Sequence, residues 1–80
     1  MKEKKFPNLI RYRKKYKITQ EKMAAVIEKS RSCYIEKESG KTDFYSDELV
    51  KICDYINARA KVDGDGRVTL EILFFTKEVA

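Results

Sequence analysis

The sequence contains no histidine, no tryptophan and only two cysteines, Cys33 and Cys53. Zinc sites with nitrogen and sulfur ligands draw on histidine and cysteine, so this composition cannot assemble one. Two cysteines form at most one disulfide, and a cytoplasmic protein keeps its thiols reduced. We therefore expect no metal, and we expect both cysteines to serve as small hydrophobic residues of a core.

Long hydrophobic runs are also missing. Apolar runs such as Ile72 to Phe75 fall far below the roughly 20 residues that a membrane span needs. The charged start, Met1 to Lys5, is similar to that of a signal peptide, but no apolar segment of about 7–15 residues follows it. The sequence therefore predicts a cytoplasmic protein that does not bind membranes.

Catalytic signatures are absent as well: there is no G-x-S-x-G motif, no cysteine–histidine pair and no glycine-rich phosphate loop. Eighty residues suffice for one domain with one modest core. With 42% hydrophobic and 39% charged residues, the composition is typical of a folded, soluble, helix-rich domain. We expect a single domain over residues 1–80 that is not an enzyme and holds no cofactor.

Positive charge is concentrated near the N-terminus. Residues 1–17 hold eight lysines and arginines and one glutamate, a net charge of +7. Residues 18–45 hold five charges of each sign, and residues 46–80 hold five cations and seven anions. This distribution favours a protein that rests one side on phosphate groups, because Lys and Arg contacts to phosphates release counterions.

Local signals predict two helices in the first third of the chain. Pro7 and Asn8 mark a helix start, with Asn8 a possible cap, and the helix runs to about Tyr16. Apolar and aromatic side chains at spacings of three and four residues place one face of it inward. Thr19 is predicted to cap a second helix, residues 20–27.

Two further helices follow. Ser30 is predicted to cap a third helix that runs to about Ser39 and ends at Gly40, the residue type that best accepts a left-handed C-cap. A fourth helix starts at Ser46 and reaches Asn57, and residues 58–62 are a possible continuation.

The last segment has two interpretations. Residues 70–75 form either a short helix capped by Thr69 or, from the alternation of apolar residues over 68–74, a strand. We favour the helix, because no equally apolar strand precedes it to form a pair. The predicted fold class is therefore all-α, a compact bundle of four to five helices.

Three short motifs carry a family resemblance: ITQEKMA at residues 18–24, SRS at 30–32 and ESGK at 38–41. Together they resemble the Cro/phage-repressor helix-turn-helix family, also called the XRE family, over residues 8–56. A narrower pattern is similar to short regulators of this family carried by prophages and other mobile elements of Gram-positive bacteria; it comprises Tyr34, Lys37, Glu38, Gly40, Lys41, Phe44, Glu48, Ile52, Phe74 and Phe75.

The resemblance implies that the third helix enters the major groove of DNA and reads bases with residues near its start. The residues expected to read bases are Arg31, Ser32 and Glu36. Cys33, between them, either faces the bases or is half buried.

Other residues are expected to contact phosphates or to support the fold. Gln20 resembles the family glutamine that binds a phosphate and braces the reading helix, and Lys29 and Lys41 are further phosphate candidates. Lys2, Lys4 and Lys5 form a possible arm that reaches the DNA backbone. The resemblance also implies a structural ion pair between Arg13 and Glu38.

The sequence departs from the family pattern at two positions. Glu28 stands where the turn between the second and third helices usually holds glycine, and left-handed dihedrals there would cost roughly 1–2 kcal/mol. A differently shaped turn is the alternative. Lys37 stands where the wider family often has an apolar residue, and its aliphatic stem can still cover the core.

Residues 61–72 are similar to a calcium-binding loop only in the middle, where Asp63, Asp65 and Gly66 fall at the right positions. Lys61 and Ile72 occupy the two end positions that need carboxylates. We therefore expect a plain turn.

These features predict a sequence-specific regulator of transcription, most simply a repressor, that binds double-stranded DNA as a homodimer and recognises an inverted repeat. The apolar residues of segment 70–75 either complete the core of one chain or meet a second copy. The alternative function is a protein-interaction or antitoxin-like helical module with little affinity for DNA.

Overall fold

The computed structural model describes residues 6–75, so the possible arm of Lys2, Lys4 and Lys5 lies outside the described residues. Five helical elements follow one another: α1 (Pro7–Lys15), α2 (Gln20–Val26), α3 (Arg31–Ser39), α4 (Ser46–Val62) and a π-helical turn (Glu71–Phe75). Between residues 6 and 75 there is no strand, and the prediction of an all-α fold is confirmed. None of these helices has the length and apolarity of a membrane span.

The caps of α2 and α3 lie where the sequence predicts them. The Thr19 hydroxyl accepts a hydrogen bond from the Lys22 amide at 3.0 Å. The Ser30 hydroxyl accepts one from the Cys33 amide at 3.2 Å, and α3 ends at Gly40, whose φ of 90° is left-handed. Hydroxyl caps satisfy amides that have no partner within the helix, so they fix where each helix begins.

The start of α1 differs from the prediction. Phe6 occupies the cap position and makes no side-chain cap bond, whereas Asn8 is buried within the first turn. The Asn8 side-chain amide donates to the Ile72 carbonyl at 2.9 Å, which gives this buried polar side chain a partner. Asn8 therefore joins α1 to the C-terminal turn and does not cap a helix. Helices α1 and α2 each end one residue earlier than predicted, at Lys15 and Val26.

Helix α4 is a single helix of 17 residues, so residues 58–62 continue it. The chain then turns at Asp63 and Gly64, with a φ of 79° at Gly64. The Tyr16 hydroxyl donates to the Asp65 carboxylate at 2.8 Å, and Lys15 Nζ lies 3.4 Å from the same oxygen. These contacts lower the pKa of Asp65, with the Tyr16 hydrogen bond as the largest cause. The carboxylate thereby fastens the turn to the end of α1.

The core lies between the inward faces of the four α-helices and the C-terminal turn. Its buried hydrophobic members are Leu9, Tyr16, Ile18, Met23, Ala24, Ile27, Tyr34, Ile52, Cys53, Ile56, Ala60, Val68, Leu73 and Phe74. Cys53 is therefore a core residue, as predicted, and burial raises the pKa of its thiol. Cys33 is half buried on α3, so the prediction of a core position is wrong for this cysteine and the half-buried alternative is the one observed.

The C-terminal segment forms a helix, as favoured, but of the π type. The Thr69 hydroxyl accepts from the Ile72 amide at 3.2 Å, which confirms the predicted cap. Leu73 and Phe74 are buried in the core of their own chain. The Phe74 ring lies 5.6 Å from the rings of both Phe6 and Phe44, which covers this end of the bundle.

Candidate nucleic-acid interface

Helix α3 has one face in solvent and one in the core. Arg31, Ser32 and Glu36, the predicted base-reading residues, are all exposed. Tyr34, Lys37 and Glu38 are buried on the opposite side. The spacing of the buried positions matches the helical repeat, so packing of one face against the other helices turns the other face outward. Cys33 is half buried between the two faces.

Buried Glu38 is held by three side chains from three helices. Arg13 Nε of α1 donates to Glu38 Oε2 at 2.7 Å, and Arg13 Nη1 donates to the Ile18 carbonyl at 3.0 Å. Tyr34 of α3 donates its hydroxyl to Glu38 Oε2 at 2.8 Å. Gln20 of α2 donates its side-chain amide to Glu38 Oε1 at 2.9 Å. The carboxylate thus fixes α3 relative to α1 and α2, and the ion pair expected from the resemblance is present.

The same network raises the pKa of Tyr34. Burial is the largest cause, and the nearby charge of Glu38 adds to it because a phenolate beside a carboxylate is unfavourable. The phenol therefore stays protonated and remains a donor to Glu38.

Gln20 faces two ways. Its amide carries two N–H donors and one carbonyl oxygen, and one donor is already bound to Glu38. A phosphate accepts hydrogen bonds, so of the two side-chain N–H groups of Gln20 only the one not bound to Glu38 is left to bind it. The bracing role expected of Gln20 is visible in the structure, while the phosphate role stays a prediction.

Lys29 lies in the turn that precedes α3. Its ammonium is 3.5 Å from Glu48 Oε2 and 5.7 Å from the centre of the Tyr45 ring, and 39% of its side chain is exposed. A second ammonium, that of Lys37, lies 3.1 Å from the other oxygen of Glu48. Two ammonium groups thus share one carboxylate, which leaves a net positive charge beside the start of α3.

The buried pair of Lys37 and Glu48 has no counterpart in the sequence-based predictions. Lys37 Nζ donates to the Asp43 carbonyl at 2.8 Å and lies 4.6 Å from the centre of the Tyr45 ring. Glu48 accepts from the Tyr45 amide at 2.9 Å. The available signal was a lysine at a position where the wider family often has an apolar residue, because a buried ammonium requires a carboxylate partner.

The pKa of Glu48 lies below its usual value. Burial is the largest single influence and raises the pKa, but the Tyr45 amide and the ammonium groups of Lys37 and Lys29 together outweigh it. Glu48 therefore stays ionised, and it keeps the loop between α3 and α4 attached to the start of α4.

The turn between α2 and α3 has the left-handed shape despite its glutamate. Glu28 has a φ of 62°, and its amide donates to the Ala25 carbonyl at 3.1 Å. Lys51 Nζ of α4 lies 3.3 Å from Glu28 Oε2. The alternative of a differently shaped turn is therefore wrong at this residue.

Positive side chains lie before and after α3. Lys29 precedes the helix, and exposed Lys41 follows Gly40, with its amide bound to the Glu36 carbonyl at 2.9 Å. No family model, curated protein or solved structure matches the chain. The outward face of α3 and the cations at its two ends are thus the features of this structure that bear on function.

Proposed function

We propose that this protein binds double-stranded DNA in a sequence-specific manner, with α3 in the major groove. One observation carries the proposal: α3 exposes Arg31, Ser32 and Glu36 while its opposite face is fixed in the core. An α-helix fits a major groove about 12 Å wide, and rigid support keeps its side chains in register with the bases. The motifs that resemble the Cro/phage-repressor family support the same assignment.

The three exposed residues have distinct chemical roles in this proposal. Arg31 donates two hydrogen bonds to the major-groove edge of a guanine, a contact worth about 1–3 kcal/mol of discrimination. Ser32 donates or accepts a single hydrogen bond, and Glu36 accepts one from the amino group of a cytosine.

Lys29, Lys41 and the remaining N–H of Gln20 contact phosphates in this proposal, and so position α3 without reading sequence. We further propose that the protein acts as a homodimer on an inverted repeat whose half-sites lie about 34 Å apart, one helical turn of DNA. Occupation of such a site at a promoter would make it a repressor.

Selection of bound fragments from random duplexes, followed by fluorescence anisotropy with the selected sequence, tests this proposal. We expect an inverted-repeat consensus and a binding constant that falls steeply as salt rises. Each phosphate contact adds about 0.9 to the steepness of the plot of the logarithm of the binding constant against the logarithm of the salt concentration. Arg31→Ala should relax the preference at one base position per half-site. Arg59→Ala, in the last turn of α4, is the matched control and should keep the consensus.

Lys29→Gln separates phosphate contacts from base reading. The salt slope should fall by about 1 per chain while the consensus stays unchanged. Absence of salt-dependent duplex binding by the wild-type chain would overturn the proposal and favour the protein-interaction or antitoxin-like module.

A further inference from the structure

A groove runs along one side of α4, where the segment 65–71 packs beside the helix. Two adjoining clefts form it and share Asp54 and Arg67 in their walls. Val50 and Lys61 mark its ends on α4, about eleven residues and three turns apart. Lys51, whose ammonium contacts Glu28 in the turn before α3, lies on a different side of α4. The groove therefore does not compete with α3 for the same surface.

One end of the groove is apolar. Buried Cys53 and Val68 form its floor, and half-buried Leu70 and 47% exposed Val50 form its walls. Leu73 and Phe74 are buried in the core of their own chain, whereas Leu70 and Val50 keep part of their surface in solvent. Val50 and Leu70 therefore leave a small apolar surface that a partner can cover.

The rim of the groove carries charges of both signs. Asp54 and Arg67 are both exposed, face the same groove and form no ion pair with each other in the described part of the chain. A partner of one charge sign would match one of these residues and repel the other. A second copy, turned by a two-fold rotation, instead places Asp54 of each chain opposite Arg67 of the other, because a two-fold interface sets one patch against itself.

We propose that the groove between α4 and residues 65–71 is the dimer interface of this protein, with Asp54 and Arg67 exchanged across the two-fold axis and with Val50 and Leu70 as the apolar contact at one end. This interface rests on the proposed function, because its two-fold symmetry is that of the inverted repeat. The contact itself lies between two protein chains and can form in the absence of DNA.

Sedimentation equilibrium of the full 80-residue chain without DNA tests the apolar end of the groove. Val50→Glu should raise the dimer dissociation constant at least about tenfold, because it introduces a charge into a desolvated contact. Val62→Glu is the matched control: Val62 is 79% exposed on α4 and lies outside the groove walls, so the dissociation constant should not change.

Charge reversal tests the identity of the partner. Asp54→Arg and Arg67→Asp should each abolish dimers at concentrations where the wild type dimerises, because like charges then meet across both symmetry-related contacts. An equimolar mixture of the two variants should restore dimers. In such a mixed dimer, each contact across the two-fold axis joins one arginine to one aspartate, because position 54 of either chain faces position 67 of the other. Within a single chain, in contrast, both positions carry the same charge. An intramolecular effect of the two residues would therefore not be rescued by mixing.

Circular dichroism melts show whether each variant is folded. Substitutions at these exposed positions should change the melting temperature little. A wild-type chain that remains monomeric up to about 1 mM, or a dimer that tolerates both reversals, would overturn the inference. Dimerisation through the groove without any duplex binding would overturn the proposed function and leave the interface standing. Specific duplex binding by a monomer would overturn the interface and the homodimer, and would leave the reading of DNA by α3 standing.

Discussion

At the scale of single residues, two buried carboxylates organise the interior. Glu38 joins α1, α2 and α3, and Glu48 joins the loop after α3 to α4. Each has at least one cationic partner that is itself mostly buried, so removal of that partner would leave an uncompensated charge in a poorly solvated site. The stability of this fold is thus sensitive to a few polar side chains as well as to its apolar core.

Arg13→Ala should be strongly destabilising. The side chains of Arg13 and Glu38 are 12% and 5% exposed, so the variant strands the carboxylate and should cost about 3–5 kcal/mol. Thermal melts should show a lower midpoint, and DNA affinity should fall with it because α3 loses its support. Lys14→Ala, on the exposed side of α1, is the control. A variant as stable as the wild type would show that the pair does not support the fold.

The depressed pKa of Glu48 predicts a dependence of stability on acid. In the unfolded chain this carboxyl titrates near its usual pKa of about 4.3, and in the folded protein it titrates lower. Its contribution to the free energy of unfolding is therefore complete above the unfolded pKa and is lost as the pH falls through the folded pKa. Urea titrations between pH 7 and pH 2 measure this loss.

Glu48→Gln isolates the effect. The variant should be less stable than the wild type at pH 7, because Lys37 loses a charged partner, and its stability should vary less between pH 5 and pH 2. An equal loss of stability in both proteins over this range would show that other carboxyls cause the acid sensitivity.

At the scale of elements, the helices illustrate what the sequence alone can predict. Hydroxyl caps at Thr19 and Ser30 and the glycine at position 40 act through their immediate neighbours, so the boundaries of α2 and α3 were predictable within one residue. Asn8 was assigned wrongly because its partner, the Ile72 carbonyl, lies 64 residues away in the chain. Only tertiary packing decides between a cap and such a distant bond.

The candidate site was predictable to a similar extent. The exposure of Arg31, Ser32 and Glu36 follows from helical periodicity once the opposite face is assigned to the core. The partners of Lys29 and Lys37 were not predictable, because both ammonium groups converge on Glu48 from different elements. Periodicity indicates which side chains point inward but not which polar groups meet there.

The strained turn between α2 and α3 offers a test at this scale. Glu28→Gly should stabilise the protein by about 1 kcal/mol, because glycine adopts the observed φ of 62° without strain while the exposed contact to Lys51 contributes little. Chemical denaturation measures the change. Glu21→Gly, in the first turn of α2, is the control and should destabilise by up to about 1 kcal/mol. A loss of stability in Glu28→Gly would show that the contact with Lys51 outweighs the strain.

At the scale of the whole molecule, the two ends of the described chain close the core together. Phe74 is 8% exposed and contacts the rings of Phe6 and Phe44, whereas its neighbour Phe75 is 69% exposed. We expect Phe74→Ala to cost about 3–5 kcal/mol and Phe75→Ala less than about 1 kcal/mol. Thermal and urea unfolding of both variants checks the difference, and equal losses would contradict the assignment of Phe74 to the core.

The contact between Phe6 and Phe74 also determines when this protein can finish folding in the cell. Sixty-eight positions separate the two rings, and ribosomes add about 5–20 residues per second, so roughly 3 to 14 seconds pass between the synthesis of one ring and that of the other. During that interval the Phe6 ring can contact Phe44 but not Phe74, so this end of the bundle stays incompletely covered.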